Sequence, residues 1–230
     1  MRTWTKSAVA TLGALACCLM LSGTCFAGDL FLTPKAGTLG LGADLGYQFI
    51  PSVKARLNLN GFAYEIDRDL DDIEYDADLN LFSMGGLVDL HPFGKGFRVS
   101  GGMYYNDNNL DANAALKVGE TFEIGGRGYT ASQVRELDAE VRFNDFAPYV
   151  GIGWGTDFDS EKNWYFSFDL GAMYMGSAQV DLDAQTSTSL SSQEEEDLQQ
   201  DLDEEEQNIE DDVEDYKWYP VVAIGITYRF

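Results

Sequence analysis

The chain has 230 residues, with 39 acidic against 15 basic side chains and a formal net charge of −24. That balance excludes a surface built to neutralise nucleic-acid phosphates. The three cysteines, Cys17, Cys18 and Cys25, stand near the start, and His91 is the only histidine, which excludes a disulfide scaffold and a His/Cys metal cluster over the rest of the chain.

The first stretch, MRTWTKSAVATLGALACCLMLSGTCFAG, reads as a secretory signal peptide. Arg2 and Lys6 form its charged start, Ser7 to Leu21 its apolar run, and Cys25-Phe26-Ala27 its cleavage region. Residues 1–27 are expected to be removed, leaving one domain over 28–230. Modification of Cys25 as a lipoprotein is the alternative, with Thr24 a poor residue before it. Past Gly28 no apolar run approaches the roughly 20 residues of a spanning helix. A mature chain integral to a membrane must therefore be a closed barrel, the remaining shape that satisfies its own backbone in lipid.

Two-residue alternation then recurs along the chain. In TLGLGADLGYQF, Leu39, Leu41, Ala43, Leu45, Tyr47 and Phe49 share one face; Asp44 and the glycines share the other. In VKARLNLN, Val53, Ala55, Leu57 and Leu59 oppose Lys54, Arg56, Asn58 and Asn60. YDADLNLFSMGGLVDL sets Ala77, Leu79 and Leu81 against Asp76, Asp78 and Asn80. Further along, Phe97, Val99 and Met103 oppose Arg98 and Ser100; Val150, Ile152 and Trp154 oppose Tyr149, Gly151 and Gly153. Trp164, Phe166, Phe168 and Leu170 oppose Ser167, Asp169 and Gly171. The closing YPVVAIGITYRF puts Val222, Ile224, Ile226, Tyr228 and Phe230 on one face, with Arg229 on the other. Segments of this length suit tilted strands crossing a bilayer, whereas ordinary sheet strands average about 5–6 residues. The greasy faces are expected to meet lipid. Asp44, Lys54, Arg56, Asp78, Arg98, Asp169 and Arg229 are expected to line the inside of a narrow barrel.

Seven long strands are clear: about 38–49, 53–65, 75–90, 97–106, 147–155, 163–176 and 218–230. An even number is required if both ends lie on one side. The eighth is placed at Leu30 to Gly37 in spite of Pro34; LKVGETFEI within 106–146 is the alternative. Connections sort into short ones (Ile50–Ser52, His91–Gly96, Thr156–Asn163) and long ones (66–76, 106–146, 177–215) in strict alternation. The long ones hold 6, 8 and 16 acids, 30 of the chain's 39. Short turns on one side and long charged connections on the other are the habit of outer-membrane barrels. Aromatic residues gather near strand ends, as interfacial girdles do.

The terminal strand, with Tyr228 and Phe230, resembles the C-terminal assembly signal of bacterial outer-membrane proteins. GTLGLGADLGY, VDLHPFGKGFRVSGGMYYNDN, PYVGIGWG, FSFDLGAMYMGS and WYPVVAIGITYRF together resemble a group of small proteobacterial outer-membrane barrels, porin-like and similar in size to the transmembrane part of OmpA. The resemblance covers most of the chain after residue 27. It implies insertion by the barrel assembly machinery, and it brings no catalytic residues.

From Gln193 to Asp215, 14 of 23 residues are acidic and none is basic. Self-repulsion opposes order there. Yet Leu198, Leu202, Ile209, Val213 and Tyr216 form a helical stripe, and Ser192 with Glu195 fits a capping box. A helix lying on the barrel mouth is expected within the acidic connection of about 177–216, collecting divalent cations or serving only as a solvated face. Calcium-like spacings occur at Asp67, Asp69 and Asp71, and at Asp157, Asp159 and Glu161, without the glycine and terminal glutamate of an EF-hand. The glycines of GIGWG are expected to admit neighbouring side chains into a narrow interior. His91, in a turn on the periplasmic side, is at the wrong end for lipid-modifying catalysis.

The sequence therefore predicts an all-β protein: an eight-stranded antiparallel up-and-down transmembrane barrel in the bacterial outer membrane, with long acidic extracellular loops, one of them partly helical. It is expected to be non-catalytic and without cofactors. Its expected role is structural or in surface interaction, with membrane lipid, lipopolysaccharide and divalent cations as partners. A narrow porin-like channel or small-solute carrier is the alternative.

Overall fold

Eight strands close into a barrel in a computed structural model of the chain. The structure describes residues 29–70, 73–93, 96–116, 121–155, 163–186 and 190–230, with side chains for all of these except 66–70, 73–75, 116 and 122. The expected signal peptide, with all three cysteines, lies outside the described residues. In chain order the strands are β1 (Asp29–Gly37), β2 (Gly40–Ile50), β3 (Val53–Leu70), β4 (Ile73–Leu90), β5 (Arg98–Asn106), β6 (Asn109–Leu116), β7 (Thr121–Ile124), β8 (Arg127–Thr130), β9 (Val134–Arg142), β10 (Phe146–Trp154), β11 (Trp164–Tyr174), β12 (Gln179–Thr186) and β13 (Trp218–Arg229); one helix, α1 (Ser192–Asp212), lies between the last two.

The barrel runs β1-β2-β3-β4-β5-β10-β11-β13 and closes antiparallel onto β1. The first strand is thus the eighth member, as placed from the sequence, and LKVGETFEI lies outside the barrel. Pro34 pairs with Ala43 on β2, but the ladder to β13 skips Thr33 and Pro34, where proline has no N–H to give. The Thr33 and Thr227 hydroxyls, 2.8 Å apart, bridge that gap. At the other end of the seam, the Phe230 amide donates to the Leu30 carbonyl at 3.0 Å.

The outward faces of these strands are exposed and apolar, including Leu45, Leu57, Val150, Phe166, Ile224 and Ile226. Leu39 departs from the expected lipid face. It sits in the tight β1–β2 turn and folds inward, buried beside Met175 and Tyr219. That turn, Thr38–Leu39, also breaks the expected alternation of short and long connections, because one of the four on its side is tight.

The long connections are largely built structure. β3 and β4 pair without interruption from Val53↔Leu90 to Leu70↔Ile73, well past the end of β2. Beyond the barrel rim β4 exchanges its partner, pairing with β5 over Ser83–Leu90 and with β6 over Ile73–Asn80. β9 and β12 follow outward, so a five-stranded extracellular sheet β3-β4-β6-β9-β12 rises from one side of the barrel wall. Backbone that leaves the barrel finds its hydrogen-bond partners in this sheet, which is why these stretches are not loops.

Candidate functional site

The inside of the barrel is filled. At mid-height Arg56 reaches three carboxylates: Nη1 to Asp44 at 2.7 Å, Nε to Asp89 at 2.6 Å and Nη2 to Asp169 at 3.3 Å. Arg98 holds Asp169 at 2.7 Å and donates to Ser167 at 3.0 Å; Lys35 holds Asp44 at 2.9 Å. Ser100 donates to Asp89 at 2.6 Å, and Asn58 donates to Asp44. Lys35, Arg56 and Arg98 meet these three carboxylates with buried side chains, and a fourth buried cation, Lys54, lies in register with Asp89; such pairing is what makes buried charge tolerable. Gly153 leaves room for this belt, since a Cβ there would lie 2.7 Å from Arg98 Nε. Above it Leu87, Tyr104, Ala147, Tyr149, Met173 and Val221 form an apolar plug. Tyr149 fits because a Cβ on Gly151 would stand 2.2 Å from its hydroxyl.

Of the residues expected inside, Asp44, Lys54, Arg56, Arg98 and Asp169 are buried in the barrel. Lys54 Nζ lies 6.0 Å from the centre of the Phe31 ring. Arg229 is half-buried on the inward side of β13, at the periplasmic end. Asp78 is a correction: it is exposed on the extracellular sheet, opposite Asp111 of β6. Lys35 and Asp89 belong to the belt and escaped the sequence reading. Asp89 lies in register with Lys54, a cation already expected inside, and that pairing was the available signal. His91 is buried at the periplasmic end of β4, its amide donating to Ser52 at 2.9 Å. Tyr228 and Phe230 make an edge contact at the periplasmic rim, ring centres 5.0 Å apart.

The misplacement of Asp78 has a physical cause. Along lower β3 and β4 the inward residues are polar (Lys54, Arg56, Asn58, Asn60; Ser83, Asp89) apart from Gly85 and Leu87, and the outward ones are apolar (Leu57; Met84, Val88, Leu90). Past the rung that pairs Asn60 with Ser83, both strands invert. The inward positions become Phe62 and Tyr64 on β3 and Ala77, Leu79 and Leu81 on β4. The outward ones become Glu65, Asp76 and Asp78. Lipid outside has given way to water, and on the inward side the sheet carries, farther along at β9 and β12, a second hydrophobic core.

That core lies between the sheet and α1. Val180 and Leu182 of β12 pack with Ile124, Tyr129 and Val134, and with Leu198 and Leu202 of the helix, while Ile209 and Val141 border them. The stripe therefore lies on β12 and the β7–β8 hairpin, not on the barrel mouth. Val213 is the C-cap and Tyr216 is exposed. The capping box is one residue earlier than expected: Ser191 caps, with Glu194 as its partner. These bonds to Ser191 hold the Glu194 carboxyl below its ordinary value. Tyr129 donates to Asp201 at 2.6 Å, and burial with that carboxylate pushes the phenol up to about 12.

The opposite, outward face of the sheet is an acidic ladder. One rung runs Glu65–Asp78–Asp111–Glu140–Asp181, and the next runs Asp67–Asp76–Asn113–Asp138–Asp183. Directly opposed side chains on such a face stand about 4.5–5.5 Å apart, so like charges there repel. Partial burial and the neighbouring Asp78 raise the Asp111 carboxyl accordingly. Local relief comes from Arg142, which lies on Glu140 at 3.4 Å and on Asp181, and from Asn109, which donates to Asp111 at 2.8 Å. Asp76, Asp78, Asp111, Asp138, Glu140 and Asp181 border an open concavity of ≈ 240 Å³. No group of three acidic, histidine or cysteine side chains among the described residues is placed to hold a metal ion. The face is an extended field of charge and not a chelate. Of the calcium-like positions, Asp67 and Asp69 lie on β3 opposite Asp76 and Glu74, and their side chains are outside the described ones. Asp71, Asp157, Asp159 and Glu161 lie outside the described residues.

No family model matches the chain, and no curated protein does. Among solved structures it is similar to CarO2 of Acinetobacter baumannii, with 27% identity, TM-score 0.57, and 88% of this chain and 98% of that chain covered. It is similar also to CarO of Acinetobacter baumannii, with 25% identity, TM-score 0.54, and 88% and 97% covered. A closed eight-stranded wall with an apolar belt outside and charge inside, together with these likenesses, makes the chain a small β-barrel protein of the bacterial outer membrane.

Proposed function

We infer that the protein is a non-catalytic outer-membrane barrel whose extracellular acidic ladder gathers divalent cations against the outer leaflet, where lipopolysaccharide phosphates supply the facing anions. One observation carries this reading: the ladder continues the same outward face that meets lipid lower down. Asp78 is four residues above the outward Phe82, about 13 Å along the strand at roughly 3.3 Å per residue. With strands tilted roughly 45°, that is about 9 Å of height, near the polar layer outside the hydrocarbon. Carboxylates and lipid phosphates at one height repel unless cations stand between them. An open ladder without a chelating cluster suits many weak, exchangeable ions better than one tight site.

Calcium titrated calorimetrically into detergent-solubilised protein at low ionic strength is expected to show several weak, salt-screened binding events. The triple variant Asp78→Asn, Asp111→Asn, Asp181→Asn should lose most of that heat; an unchanged isotherm overturns the reading. Vesicles with and without lipopolysaccharide then separate cation binding as such from cation bridging to lipid. Entry through the barrel assembly machinery, suggested by Tyr228 and Phe230, belongs to the same proposal. The buried ion-pair belt and the apolar plug above it support a barrel without an open path, and a steady single-channel current in planar bilayers would favour the channel or carrier reading instead.

A further inference from the structure

The extracellular sheet has two edges, and they are finished differently. At β12 the helix closes the edge: Glu206 accepts from the Leu182 amide at 2.7 Å and Glu210 from the Val180 amide at 3.1 Å. Residues four apart on a helix rise about 6 Å, close to the roughly 6.6 Å between alternate strand residues. The two glutamates thus stand where a neighbouring strand's carbonyls would.

The other edge has no such cover among the described residues. β3 parts from β2 at the Leu41↔Gly61 pair, and from Phe62 to Leu70 it is paired with β4 alone. The unpaired N–H and C=O groups of a strand edge are a template for another strand. On the inward side of this edge Phe62 and Tyr64 are 44% and 55% exposed and stack with rings 6.3 Å apart at 14°. On the outward side Glu65 begins one acidic rung, and Asp67 holds the first position of the next. A strand added here would prolong both rungs. Its outward positions would have to be cations, and its inward positions would lie against two aromatic rings. Arg142 already shows a guanidinium settled on this face, between Glu140 and Asp181.

We propose that the upper edge of β3 is a strand-addition site for an extended polypeptide of another molecule, in which lysine or arginine alternates with aromatic or aliphatic residues. Main-chain pairing would supply the affinity, and the alternation would select the segment. A second copy of this chain is a poor occupant, because its own strands at this height bring acids to acids. The proposal does not rest on cation gathering.

The probe is a short synthetic peptide alternating lysine and valine, added to the detergent-solubilised full chain. Binding is expected to slow hydrogen exchange at the amides of Phe62–Glu65. Methylating the peptide's backbone nitrogens at alternate residues, in the two possible registers, separates pairing from simple charge attraction. One register should weaken binding by about tenfold or more and the other should leave it unchanged. Glu65→Lys should weaken the lysine peptide and favour its glutamate counterpart. Equal binding by both methylated registers overturns the proposal while leaving the acidic ladder's attraction for cations intact. Protection at β12 in place of β3 overturns it too, as does self-association of the protein through this edge.

Discussion

Arg56→Met removes, among the described residues, the one side chain that touches all three carboxylates of the belt while keeping its apolar stem. Asp44 retains Lys35 at 2.9 Å, and Asp169 retains Arg98 at 2.7 Å. Asp89 keeps the Ser100 hydroxyl at 2.6 Å, Arg98 at 3.9 Å and the buried Lys54 in register with it on β3. Asp89 thus loses its closest cation, the Arg56 Nε at 2.6 Å, and the cost falls there. Breaking a buried ion pair from one side costs about 3–5 kcal/mol, chiefly because the abandoned charge stays out of water. The variant should lose about that much stability in urea titrations of the detergent-folded barrel, followed by tryptophan fluorescence and by heat-modifiable gel mobility. Adding Asp89→Asn removes the carboxylate that lost this partner and should recover about half of the loss or more. A single variant within about 1 kcal/mol of wild type, or a double variant that is simply additive, would refute the idea that Arg56 holds the belt by charge compensation.

Other outcomes follow from the same geometry. Gly46→Ala puts a Cβ 2.1 Å from the Phe31 ring and should cost about 1–3 kcal/mol, with Phe31→Leu as its suppressor; equal losses in the single and double variants would count against that contact. Glu206→Ala with Glu210→Ala should speed hydrogen exchange at Leu182 and Val180 while leaving the barrel's urea midpoint unchanged. The extracellular sheet should respond to pH with a definite sign. Asp111 has its folded pKa above 3.8, so the repulsion it suffers is present at neutral pH and relieved as pH falls through that raised value. The Glu194 contribution to the helix cap runs the other way, present above 4.5 and lost as pH falls through its lowered value. Amides of β6 and β9 should therefore gain protection on mild acidification, after correction for intrinsic rates, and those of the first turn of α1 should lose it at lower pH.

The membrane barrel was legible in the alternation itself. A side-chain period of two with lipid on one side leaves little freedom; seven segments carry a greasy face, and the even count places the eighth at Leu30–Gly37. Asp44, Lys54, Arg56, Arg98 and Asp169 could be placed inside because each faces away from an apolar neighbour that has only lipid to meet. Asp78 could not. It alternates with Ala77 and Leu79 as Arg56 alternates with Leu57, and the pattern says only that two sides differ, not which of them is outside. Only the tertiary structure showed that β3 and β4 outlast the barrel, that water replaces lipid at the Asn60–Ser83 rung, and that α1 covers the inward side of the sheet at β12. Asp89 was hidden by the same inversion, since the upper half of β4 had assigned polarity to the other parity. The acidic ladder, too, draws its residues from four separated stretches of chain, and distance along the sequence carries no trace of which of them share a rung. Composition and period decide what a strand can tolerate on each face; what stands against each face is settled by the strands and the helix that arrive from elsewhere.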